Sequence, residues 1–228
     1  MVRRWAALSL LIAAALVTQS AHADDAQSSA RVVDRVVARW RTVDQEGVSQ
    51  ANLIFARELA FEARVEAMAL GDLPNAKLAD RHIRAALSRH VTESLLDELP
   101  LDPPPTPAEI AERAEKARSA LEARVGGVDR LEAARLKERL EKDEVDSILR
   151  RTARASLYLD RMVAPLLLPS DIELRELHAE GKTPFSDQRF VDVAEKIRRW
   201  VLAQRMSTAL DDFWQRARAR IVITWARK

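Results

Sequence analysis

The sequence contains no cysteine and only five glycines, and aromatic residues make up 5% of its 228 positions. Without cysteine there is no disulfide scaffold, thiolate zinc site, cysteine nucleophile or cysteine-linked lipid. Sheet-rich enzymes spend glycine on turns, bulges and phosphate loops, so so few of them argue for helices. The five, at 47, 71, 126, 127 and 181, all fall at expected helix ends or turns. No G-x-x-x-x-G-K, G-x-G-x-x-G or G-x-S-x-G motif occurs, so neither a nucleotide loop nor a hydrolase elbow is signalled. His82 and His90 stand about two turns apart on one expected helix, and His178 is isolated, so no pair can share a metal without a third element. No catalytic residue, cofactor or metal site is expected. What the chain does have is 47% hydrophobic and 32% charged residues, with Ala, Leu, Arg and Glu dominant. That apolar content is too high for disorder and suits a domain with a real core.

The first 23 residues are read separately. Arg3 and Arg4 form a basic start, Trp5 to Val17 is an apolar run, and Ala21-His22-Ala23 offers a small-x-small cleavage site. This is the pattern of a secretory signal peptide, and the run is shorter than the roughly 20 apolar residues a membrane span needs. Export to the periplasm with cleavage after Ala23, and no stable membrane insertion, are therefore expected. Removing residues 1–23 leaves 35 acidic side chains balanced by as many basic ones. The basic clusters Arg150, Arg151, Arg154 and Arg216, Arg218, Arg220 then read as solvated helix faces, and nucleic acid is not an expected partner.

Along the rest of the chain, Val32 to Val43 fits either a strand or a helix. Its β-branched excess and the Asp44-Gln45-Glu46-Gly47 turn favour a short strand. Ser49 would cap a helix from about Ala51 to Leu70, stopped by Gly71 and Pro74, and a second helix would run from about Lys77 to Leu99. Five prolines between Pro100 and Pro107 make a stiff connection, and Thr106-Pro107-Ala108-Glu109 opens a third helix with a capping box. Helices are expected at 129–140 and at 143–164, the latter closed by Pro165 and Pro169. A short helix capped by Ser170 follows, then a long one over 187–219, and last a strand-like Ile221-Val222-Ile223-Thr224-Trp225. Ile221, Ile223 and Trp225 alternate on one face, as do Val36, Ala38 and Trp40. Pairing these two strands would remove two exposed edges and bury both indoles against the helices.

This order of elements resembles one family. Asp34-Arg35-Val36-Val37-Ala38-Arg39, followed by a turn and a helix, is similar to the mature start of SurA-type periplasmic chaperones. Leu149-Arg150-Arg151 with Leu157-Tyr158-Leu159-Asp160-Arg161, then Ser170-Asp171-Ile172-Glu173-Leu174, resemble the helices leading out of that family's N-terminal domain. Phe190 to Trp225 resembles its returning C-terminal helix and strand. The resemblance covers most of residues 32–226. It implies a mainly α, elongated multi-helix chaperone domain with a small β element pairing the N- and C-terminal strands. Residues 24–164 would form the N-terminal part, 165–186 a hinge with a short helix, and 187–228 the closing helix and strand. SurA-type proteins usually carry a parvulin isomerase domain at that hinge, and 20 residues from Pro165 to Pro184 cannot hold one, so isomerase activity is not expected.

The function so implied is that of an ATP-independent holdase for unfolded exported chains, including outer-membrane β-barrel precursors. A holdase needs an apolar concavity with a polar rim. Met162, Leu166, Leu167, Leu168 and Phe185, which flank the hinge, are the candidate client contacts. Packing of the same five against the long helix is the plainer alternative. An envelope adaptor holding one specific partner is the other class of function compatible with such helices.

Overall fold

A computed structural model describes residues 34–44, 47–48 and 51–226, and it is mainly helical. Ser49 and residues 32–33 lie outside the described residues. The chain begins as a strand, β1 (Val36–Asp44), which pairs antiparallel with β2 (Gly47–Val48) through Asp44↔Gly47 and Val43↔Val48. It also pairs with β3 (Asn52–Phe55) and, from the far end of the chain, with β4 (Ile221–Trp225). The register of the last pair sets Ala38 against Trp225, Trp40 against Ile223 and Thr42 against Ile221. Alternation decides the faces: Ala38, Trp40 and Ile54 are buried, while Arg39, Arg41 and Leu53 are exposed. The small sheet thus joins the two ends of the fold. One indole of the expected pair is buried; Trp225 is 53% exposed at the strand's end, and Trp214 packs beside Ile221 and Ile223 instead.

The first helix, α1 (Ala56–Ala69), starts five residues later than the expected Ala51, because residues 52–55 are taken up by the ladder with β1. Ala56 N–H donates to Arg35 C=O, so the chain passes from strand to helix without a side-chain cap. Helix α1 is buried on most of its circumference, with Leu59 and Ala63 against the sheet and Phe61, Val65 and Met68 on another side. Even Arg64 is buried, and its guanidinium binds Glu138 and the carbonyls of Pro74 and Ala76.

Helix α2 (Asp80–Asp97) begins three residues beyond the expected start, with Ala79 as its cap and His82 Nδ1 3.4 Å from the Ala79 N–H. Helix α3 (Pro107–Val125) follows the proline segment and has the expected capping box. Glu109 N–H donates to Thr106 Oγ1 and Thr106 N–H to Glu109 Oε2, and Gly126 ends the helix at φ 91°. Helices α4 (Val128–Glu138) and α5 (Lys142–Tyr158) complete a core in which Leu131, Ala134, Val145, Ile148 and Leu149 meet Phe61, Val65 and Met68.

Pro165 does not close the fifth helix. A π-turn over Leu159–Val163 carries it into α6 (Ala164–Leu167). Widening the turn removes the clash between a proline ring and the carbonyl four residues earlier. The break comes at Leu168, which is extended before Pro169 as residues preceding proline prefer. Helix α7 (Asp171–Ala179) is capped by Ser170 as expected, and Lys182 N–H closes its end onto Leu177 C=O.

Helix α8 (Phe190–Arg218) is 29 residues long, three residues short of the expected start, and spans roughly 44 Å. Its first half builds a third core, where Val193, Ile197 and Val201 meet Leu174. Its far end delivers Trp214 and β4 to the sheet core.

A candidate client-binding groove

Between Val201 and Ala217 helix α8 has no buried residue. Over that stretch Leu202, Met206, Leu210, Phe213 and Trp214 recur at three- and four-residue steps on one face, and each is half-buried. A stripe packed on a core would be closed off. Two residues of this one, Leu210 and Trp214, face α2 and α5 across a groove of about 510 Å³. Leu96, Ala155 and Leu159 form the apolar side of one wall, and Leu210 and Trp214 form the other. Arg89, Glu93 and Asp211 supply charge along the lining. Helix α8 is held by the α7 core, by Arg205 bonding the Leu167 carbonyl of α6 and Glu173 of α7, and by β4, and the groove lies between Arg205 and β4.

The five candidate contacts from the sequence are only partly brought together. Met162, Leu166 and Leu168 are exposed, at 42%, 83% and 54%, on the segment that follows Leu159. Leu167 is half-buried, and its carbonyl accepts a hydrogen bond from Arg205 Nη1 at 3.1 Å. Phe185 lies elsewhere, half-buried against the core of Leu174, Val193 and Ile197. Helix α8 residues lining the groove were absent from the expected site. The i, i+4 spacing of Leu202, Met206 and Leu210 marks an apolar stripe, but spacing alone does not tell a packed stripe from an open one.

Beside the groove runs a buried polar cluster, and it corrects the reading of Arg151 as a solvated residue. Arg151, from α5, donates to Glu58 Oε1 at 2.6 Å and to Glu62 Oε1, both on α1. Its Nε lies 3.9 Å from Glu93 Oε2 on α2, and Thr152 Oγ1 donates to that same oxygen at 2.9 Å. His90 Nδ1 sits 3.2 Å from Glu62 Oε2 and 3.7 Å from Glu58 Oε1. Burial, and then the neighbouring charge of Glu62, push the Glu93 carboxyl above its ordinary range. Glu58, Glu62 and His90 could together offer three ligand atoms to a cation. The Arg151 guanidinium already bonds both carboxylates, so the charge there is met by the protein itself and the cluster acts as a clasp for α1, α2 and α5. His82 is buried at the start of α2, and His178 Nε2 lies 2.9 Å from Gln188 C=O with its ring edge-on to Phe190. Arg154 is paired with Asp97 Oδ1 at 2.6 Å.

Compared with protein-family models, with curated proteins and with solved structures, the chain matches none of them.

Proposed function

We propose that this chain is an exported, ATP-independent holdase for unfolded polypeptides, related in design to the chaperone domain of SurA-type proteins. The half-covered apolar stripe of α8 carries this reading. An unfolded segment laid along it would bury apolar surface at about 25 cal/mol per Å², against the cost of ordering the segment. Walls left half-exposed, with charge at Arg89 and Asp211, favour binding that is weak and reversible, as release requires. The exposed Met162, Leu166 and Leu168 would extend the same apolar surface beyond the groove.

The experiment is suppression of aggregation of several unrelated unfolded proteins, without nucleotide, by the wild type and by Leu210→Glu. The wild type should suppress aggregation near equimolar ratio, and Leu210→Glu should lose most of the effect while retaining its melting temperature. No suppression by a folded wild type would overturn the proposal. Stoichiometric binding of one folded partner instead would establish the adaptor reading. A proline-limited refolding reaction should not be accelerated, and N-terminal sequencing of the exported form should begin at Asp24.

A further inference from the structure

Strand β4 lies at an edge of the sheet. It pairs with β1 on one side, and among the described residues nothing pairs with the other. Two hydrogen bonds fix which backbone groups are spare: Val43 N–H donates to Arg220 C=O at 2.8 Å, and Ala226 N–H donates to Val37 C=O at 2.9 Å. In an antiparallel pair, alternate residues turn their backbone groups the same way. The even-numbered residues from 220 to 226 therefore face β1. Ile221, Ile223 and Trp225 turn their N–H and C=O groups to the open side.

Natural edges are blunted by charge, proline, bulges or cover. The segment Ile221–Trp225 contains neither charge nor proline, and Val222 and Trp225 are exposed. An apolar cavity of about 430 Å³ opens at its Trp225 end, walled by Val36, Val37, Leu59, Leu78 and Ile83. Its lining shares no residue with the α8 groove.

Charge around the edge selects the occupant. Arg216, Arg218 and Arg220, all exposed, lead into β4. Exposed Arg39 and Arg41 stand opposite Thr224 and Val222 on the neighbouring strand. A second copy of the chain would bring the same arginines, Arg39, Arg41, Arg218 and Arg220, to this edge, like charge against like, which is unfavourable. A strand with acidic flanks meets opposite charge from these arginines.

We propose that the open edge of β4 is a strand-addition site. Its occupant is an extended segment of another polypeptide, apolar at alternate positions and flanked by Asp or Glu, with a large apolar side chain entering the cavity beside Trp225. This site stands independently of the groove on α8.

The test uses the purified exported protein and a short synthetic peptide of alternating valine and phenylalanine between pairs of acidic residues. Two control peptides carry lysine flanks or a central proline. At low salt the acidic peptide should bind at least about tenfold more tightly than the lysine peptide, and the proline peptide should not bind. Binding should slow hydrogen exchange at the amides of Ile221, Ile223 and Trp225 by about tenfold or more, with the even-numbered amides unchanged. The double variant Arg218→Glu, Arg220→Glu should reduce or reverse the charge preference, whereas Leu210→Glu should bind the acidic peptide as the wild type does. Loss of holdase activity in Leu210→Glu with peptide binding intact separates this site from the groove. Equal binding of acidic and lysine peptides, tolerance of the central proline, or unchanged exchange at the three amides would overturn the proposal. So would protection of those amides by self-association without peptide.

Discussion

Trp40 and Ile223 face each other across the β1–β4 pair, and through them the start of the fold is closed by its end. Both side chains join the core formed by Ala38, Ile54, Leu59 and Val91, with Trp40 1% exposed. Removing residues 220–228 would strip the hydrogen bonds of one whole side of β1 and uncover this core. We expect the truncated protein to melt roughly 10 °C or more below the full chain, since each kcal/mol lost moves a domain of this size by a few degrees. Calorimetry of the two proteins checks this, and an unchanged melting temperature would show that the closed ends contribute nothing.

The Trp40 ring should be needed more than its nitrogen. Its Nε1 is buried with no hydrogen-bond partner, so Trp40→Phe removes an unmet donor along with some packing. Trp40→Ala leaves a large cavity and should cost about 3–5 kcal/mol. Urea unfolding of both variants decides it. Equal losses would mean that the indole N–H does have a partner.

Arg151 should be among the least replaceable charged residues. Its side chain and those of Glu58, Glu62 and Glu93 are 16%, 21%, 7% and 17% exposed. Arg151→Met would leave three carboxylates without their shared cation, and removing one partner of a buried ion pair typically costs about 3–5 kcal/mol. Adding Glu62→Gln to Arg151→Met should recover part of that loss. Denaturant midpoints of the single and double variants test both statements.

The Glu93 carboxyl gives stability a pH dependence opposite to that of most carboxylates. Its folded-state value is raised from 4.5 by burial and then by Glu62, so the folded protein holds this proton more tightly than the unfolded chain does. From this group alone, stability is greatest below 4.5 and falls as pH rises through the window between 4.5 and the raised value. Glu93→Gln keeps an acceptor for Thr152 and removes the titration. The variant's advantage over the wild type should therefore be absent in acid and grow on going to neutral pH. Melting curves of both proteins across that range check the sign, and a constant difference would overturn the assignment.

Elements whose limits are set by local chemistry were legible in the sequence. The Thr106–Glu109 capping box, the Ser170 cap, Gly126 in a left-handed conformation and the alternation in Ile221–Trp225 each act within a few residues, so the sequence alone specified them. The pairing of the two end strands was also readable, because two apolar, alternating strands would each leave an exposed edge if they did not pair, although β1 also pairs with β2 and β3. Tertiary context decided the rest. Asn52–Phe55 carries a fair helix pattern but is drawn into the ladder by β1, and Pro165 is accommodated by the π-turn over Leu159–Val163 rather than ending the helix. Arg151 looks like any exposed arginine until α1 brings Glu58 and Glu62 to it from far along the chain. The same holds for the groove. The sequence sets the apolar stripe on α8, but whether that stripe is filled or open depends on how far the helix stands from α2 and α5. That distance is set by where α8 is anchored, on the α7 core, through Arg205 to Leu167 and Glu173, and at β4, which no local pattern encodes.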